Sequence, residues 1–113
     1  MTFDERIFPF FWVEHQNSFS VCLNAEDYKP DIFRTREDEG FQGDGYDWAS
    51  LANVFLQEQK RQFISVVKFD PEAGMFSAYS SNEDALKEFI ISFKEACEDD
   101  ILIQDIFSRA ELD

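Results

Sequence analysis

The spacing of apolar residues changes period several times along this chain, which restricts it to folds that combine strands with helices. Phe19, Val21 and Leu23 alternate with Ser20, Cys22 and Asn24, the period of two that half-buries a strand. Residues 7–14 and 18–24 therefore pair as a hairpin around His15-Gln16-Asn17. The first arm is apolar on both faces, which predicts a strand interior to the sheet or covered on both sides. Pro9 cannot donate a ladder hydrogen bond and marks a bulge or a strand end. A short extended piece is expected at Asp31–Arg34.

Trp48, Leu51, Ala52, Phe55 and Leu56 recur at helical spacing, predicting a helix over 47–60 with Asp47 as its cap. The period then returns to that of strands. Residues 63–69 and 75–80 read as a second hairpin through Asp70–Gly74, where Pro71 presets φ and Gly74 permits positive φ. Leu86, Phe89, Ile90, Phe93 and Cys97 share one face of a further helix, capped by Ser81 or Asn82. Ile103, Ile106 and Phe107 point inward from a last short helix over 101–110. The order ββ-α-ββ-α-α gives an α+β fold, an antiparallel sheet of two β-hairpins with helices packed on one face, in a single domain over 1–113.

Charge raises the question of whether such a chain folds at all. Its 113 residues carry 24 Asp and Glu against 10 Lys and Arg, a formal net charge of −14. Yet Leu, Ile, Val and Phe together make 33 of the 113, and Phe alone contributes 14. That apolar content lies above the floor of roughly 20% for folding chains, and it predicts an aromatic-rich core. The acid excess repels nucleic acid and anionic lipid, and it accelerates encounter with a basic protein. The opening Met1–Arg6 has no basic n-region, and no long apolar run follows, so a cytoplasmic location is expected. Cys22 and Cys97 are too few and too far apart for a disulfide framework or a zinc knuckle.

The residues offer little for catalysis. His15, the one histidine, falls in the hairpin turn, and nothing beside Cys22 would lower its pKa. The acidic loop Glu37–Asp47 lacks the alternation of a calcium site, and its Gly40, Gly43 and Gly45 do not form a phosphate cradle. No enzyme activity, metal or cofactor is expected. What the loop does combine is carboxylates and aromatics on flexible backbone. Glu37, Asp38, Glu39, Asp44 and Asp47 are the candidate steering and pairing charges for a basic partner, and Phe41 and Tyr46 the candidate contact anchors. Trp48 shares the apolar face of its helix and belongs to the core. Ser108–Asp113 reads by default as a frayed tail, and the alternative is that Arg109 pairs with a neighbouring acid and docks it.

The segment from Glu39 to Leu56, EGFQGDGYDWASLANVFL, resembles the central motif of the immunity protein 51 family of bacterial polymorphic toxin systems. FDPEAGMFSAYS (Phe69–Ser80), SRAELD (Ser108–Asp113) and FWVE (Phe11–Glu14) are similar to further family segments, in the same order. The resemblance implies a small cytosolic α+β protein, encoded beside a toxin and neutralising it. Together with the charge, it implies an immunity protein that occludes the active site of a basic, nuclease-like toxin domain, as a monomer or weak homodimer. The alternative is an acidic interaction module, or a regulatory subunit, for a non-toxic basic protein.

Overall fold

The computed structural model describes residues 1–112. It is an α+β fold in which strands β1 (Phe11–His15), β2 (Ser18–Asn24), β3 (Lys68–Phe69) and β4 (Met75–Ser80) form one antiparallel sheet. Their order across the sheet is β1-β2-β4-β3, so each hairpin contributes one central and one edge strand. Helices α1 (Phe3–Ile7), α2 (Asp31–Arg34), α3 (Gly45–Gln59), α4 (Glu83–Glu98) and α5 (Asp100–Phe107) complete the fold.

Burial alternates along the central strands as their sequence pattern requires. Val21, Leu23, Phe76 and Ala78 point to a face covered by α3 and α4, and all four are fully buried. Helix α5 packs on α3 and α4 rather than on the sheet itself. The other face carries Phe11, Val13, Ser20, Cys22, Ser77 and Tyr79, and of these Cys22 alone is buried. At the centre of the covered side Trp48 meets Phe33 edge-on at 5.0 Å and stacks on Tyr28 at 5.9 Å. Phe93 extends the cluster to Phe55 at 5.2 Å and Phe89 at 5.7 Å. Edge and stacked pairs of this kind add about 0.5–1.5 kcal/mol each beyond area burial, so the phenylalanines act as a connected core.

Several local expectations are corrected. Strand β1 is an edge strand, not an interior one: it pairs with β2 alone, and residues 3–7 before it form a helix. Thr2 and Glu5 form a capping box there, the Thr2 hydroxyl accepting from Glu5 N at 3.1 Å. The doubly apolar pattern of the first arm arises because Ile7 and Phe10 enter the core from outside the strand. Pro9 does stand just before the strand begins.

Asp31–Arg34 is a short helix rather than an extended piece. Pro30 presets its start, and Ile32 and Phe33 are buried from successive positions. Residues 61–67 are successive turns, leaving β3 only two residues long. Val66 N and Val67 N both donate to Phe63 O, at 3.0 and 2.9 Å, which consumes the backbone groups a longer strand would need. The apolar residues Phe63, Val66 and Val67 fit a turn as well as a strand, so their pattern was ambiguous. Gly74 is not in the left-handed region, and a Cβ placed on it would meet nothing within 4 Å.

The later helices start where their caps direct. The Asn82 side chain accepts from Ala85 N at 3.0 Å to open α4, and Asp99 accepts from Leu102 N at 3.1 Å to open α5. No described helix is long and apolar enough to cross a membrane.

Candidate functional site

The acidic loop is folded over a cation. Arg36 pairs with Glu39 through two hydrogen bonds, Nε to Oε2 at 2.9 Å and Nη2 to Oε1 at 2.8 Å. The pair holds the Glu39 carboxyl below its ordinary range and raises the Arg36 guanidinium. The guanidinium carbon lies 4.6 Å from the centroid of the Phe41 ring, inside cation–π range. Phe41 itself is 2% exposed and packs edge-on against Phe107 at 4.9 Å.

Two aspartates divide the work of starting α3. Asp44, not Asp47, is the cap, its Oδ1 accepting from Asp47 N at 2.9 Å. Asp47 reaches back, and its Oδ2 accepts from Gln42 N at 2.7 Å and Gly43 N at 2.9 Å. Asp47 is 5% exposed, its carboxylate satisfied by those two backbone donors. The helix N-terminus favours negative charge, which suits both carboxylates.

The glycines have separate reasons to be there. Gly40 and Gly43 have φ of 110° and 78°, in the left-handed region. Gly45 permits a close approach instead: a Cβ there would stand 1.8 Å from Glu72 O. Gly45 N donates to Ala73 O at 2.9 Å, and Ala25 N donates to Gly74 O at 3.0 Å. The start of α3, the β3–β4 turn and the end of β2 are thereby fastened together at one end of the sheet.

The seven candidate residues are therefore not equivalent. Glu37 and Asp38 are exposed, with no cation within 4 Å among the described residues. Glu39 is exposed but neutralised by Arg36. Asp44 is partly exposed, and Tyr46 is 42% exposed on the first turn of α3. Phe41 and Asp47 are turned inward, into the core and the loop backbone. Glu37 and Phe41 share a shallow depression of about 190 Å³ with Pro30, Phe33, Arg34 and Gln42. That is below the range of roughly 300–1,000 Å³ usual for small-molecule sites, whereas protein contacts need no cavity. Trp48 is fully buried, in the core position its helical spacing indicates.

Sequence reasoning missed Arg36 as the organiser of the loop. A signal existed in a cation three residues before Glu39, a spacing that pairs side chains across one turn. The partners of Arg109 were also open in the sequence, and they are Glu58 and Asp105. Hydrogen bonds donated by the Arg109 guanidinium hold both carboxyls below their ordinary range.

Catalytic geometry does not assemble around the histidine. Cys22 stands opposite Phe11 and His15 opposite Ser18. That separates the two by four residues along the ladder, about 13 Å at 3.3 Å per residue. Burial raises the Cys22 thiol, which donates to Ser77 Oγ at 3.6 Å. Among the described residues no three His, Cys, Asp or Glu side chains converge as metal ligands.

Comparison with curated proteins finds no match, and comparison with solved structures finds none either. Family models do identify a relationship, and it takes in the Arg36-centred loop, both hairpins and the three long helices. Residues 10–112 match the model of immunity protein 51, and this chain belongs to that family.

Proposed function

We propose that this chain neutralises a cognate toxin domain by binding it and occluding its active site, and that the toxin is a basic, nuclease-like effector. Membership of the immunity protein 51 family carries this reading. The charge supports the choice of partner. A domain at −14 steers toward a basic surface, and a nuclease cleft built for phosphate presents one. The chain acts as a binding protein, without catalysis or a cofactor, in the cytoplasm of the producing cell. It binds neither nucleic acid nor membrane, and it works as a monomer or weak homodimer.

In this reading Glu37 and Asp38 supply steering charge, because no cation among the described residues pairs with them. Tyr46 and Asp44 add an aromatic and a carboxylate at the start of α3. Glu39 joins by exchanging its Arg36 partner for a cation of the toxin. Phe41 and Asp47 hold the loop in shape from beneath, through Phe107 and the Gln42 and Gly43 amides.

The test is association of the purified chain with the toxin domain encoded beside it, followed by stopped flow across a salt series. Reversing Glu37 and Asp38 to Lys should slow association at low salt and flatten the salt dependence. Unchanged rates would remove the loop from the interface. Failure to rescue growth of cells making the toxin domain would remove the toxin reading itself, leaving an acidic module for another basic protein.

A further inference from the structure

Eight of the fourteen phenylalanines are buried, yet Phe8, just before Pro9, is left 72% exposed and Phe11 40% exposed. They form part of the wall of a cleft of about 580 Å³, with Phe10, Asn24, Asp27 and Tyr28. Isolated exposed apolar side chains need no explanation, but contiguous ones do. Here Phe11 belongs at once to the cleft and to the uncovered face of the sheet. That face continues through Val13 and Ser20 toward Ser77 and Tyr79.

The electrostatics of the cleft select its occupant. Asp27 is exposed and has no cation within 4 Å among the described residues, its one side-chain bond coming from Asn24 Nδ2 at 3.4 Å. Glu26 is exposed beside it. Lys29 and Lys94, the cations nearest the Tyr28 ring, are already paired with Asp100 and Glu98. On the open sheet face Lys68 lies on β3, the edge opposite β1. Aromatic faces beside an unpaired carboxylate form a site for a planar cation, which stacks on the rings while it hydrogen-bonds the acid.

We infer that this cleft receives an arginine side chain from a basic loop of a protein partner. The guanidinium lies against Phe8 and Phe11 and pairs with Asp27, and the neighbouring partner surface rests on the open sheet face. Naming that partner as the toxin domain rests on the function proposed above. The cleft would then be a second contact, separate from the 37–46 loop.

Two measurements separate the cleft from the toxin reading. In the first, N-acetyl-arginine methylamide is titrated into the isotope-labelled full chain and followed by NMR. Saturable shifts should gather at residues 8–11 and 24–28 and disappear in Asp27→Asn, while the norleucine analogue should produce none. Shifts spread evenly over the acidic surface, or unaltered by Asp27→Asn, would overturn the cleft whatever the partner. In the second, the toxin domain is bound to Phe8→Ala, whose exposed ring the fold does not need. Its affinity should fall about 30-fold, the effect of losing one central anchor. Full affinity in Phe8→Ala would overturn the toxin contact. A wild-type chain that does not bind the toxin at all would instead overturn the proposed function, and the NMR result would still decide the cleft.

Discussion

Arg36 Nη1 donates to the carbonyl of Phe107 at 2.6 Å, and the guanidinium carbon lies 5.1 Å from the centroid of the Phe107 ring. The same nitrogen donates to Ala110 O at 2.8 Å. Carbonyls at a helix C-terminus lack intrahelical partners and carry negative potential, so a cation there answers both deficits. Through Arg36, the loop that bears the candidate binding acids is tied to the end of α5, 71 residues away in sequence.

Arg36→Ala removes this tie along with the Glu39 pair, and it should lower stability by about 2 kcal/mol, the usual scale for losing charge-assisted hydrogen bonds. Arg36→Lys keeps the charge but not the planar fork and should recover only part of the loss. Urea denaturation measures both, and an unchanged midpoint for Arg36→Ala would contradict the role assigned to it.

Gly45 and Gly74 should respond oppositely to alanine. A Cβ on Gly45 would fall 1.8 Å from Glu72 O and 2.3 Å from Met75 O, both of them backbone, so the start of α3 would have to part from the β3–β4 turn. Gly45→Ala should cost at least about 3 kcal/mol or prevent folding. At Gly74 the added methyl meets open space, and Gly74→Ala should change stability by less than about 1 kcal/mol. Thermal denaturation of the two variants compares them directly, and equal losses would be incompatible with the contact.

The pairing of Glu58 with Arg109 predicts a pH window. Hydrogen bonds from Arg109 hold the Glu58 carboxyl below its ordinary 4.5. A carboxyl depressed in the folded state adds stability above its unfolded pKa and loses it as pH falls through the folded value. Glu58→Gln should therefore be less stable than wild type at neutral pH, by the small amount of an exposed pair. The difference should shrink toward zero below pH 4.5. Paired urea titrations from neutral pH downward test this, and a gap that stayed constant to about pH 3 would exclude the ion pair as its source.

Neither thiol should react readily in the native protein. Cys97 is fully buried, and burial pushes its pKa up. Cys22 is 8% exposed and likewise raised by burial. The thiolate is the reactive form, so a disulfide reagent at mildly alkaline pH should label Cys22 slowly and Cys97 more slowly still. Adding urea should release both. Rapid labelling of Cys97 without denaturant would show that α4 opens locally.

Local periodicity determined what is regular in this protein. The alternation at 19–23 specifies a strand with Val21 and Leu23 inward, and the helical spacing from Trp48 to Leu56 and from Leu86 to Cys97 specifies two buried stripes. These features depend on neighbours within one turn or one pleat, so short windows contain them. Tertiary structure decided whatever depends on a distant partner. Strand β1 reads as interior from its own residues and lies at an edge because β2 is its one neighbour in the sheet. Residues 63–67 carry a strand's composition but fold as turns, from which Phe63, Val66 and Val67 meet the core while Ile64 stays exposed. Asp47 resembles a helix cap in sequence, yet Asp44 precedes it and takes that role, freeing Asp47 to bind the loop amides. The charge of −14 was legible from composition alone. Which acids remain unpaired was not, because pairing depends on side chains that reach one another only after folding: Arg36 takes Glu39 out of the unpaired set, while Glu37, Asp38 and Asp27 stay in it among the described residues.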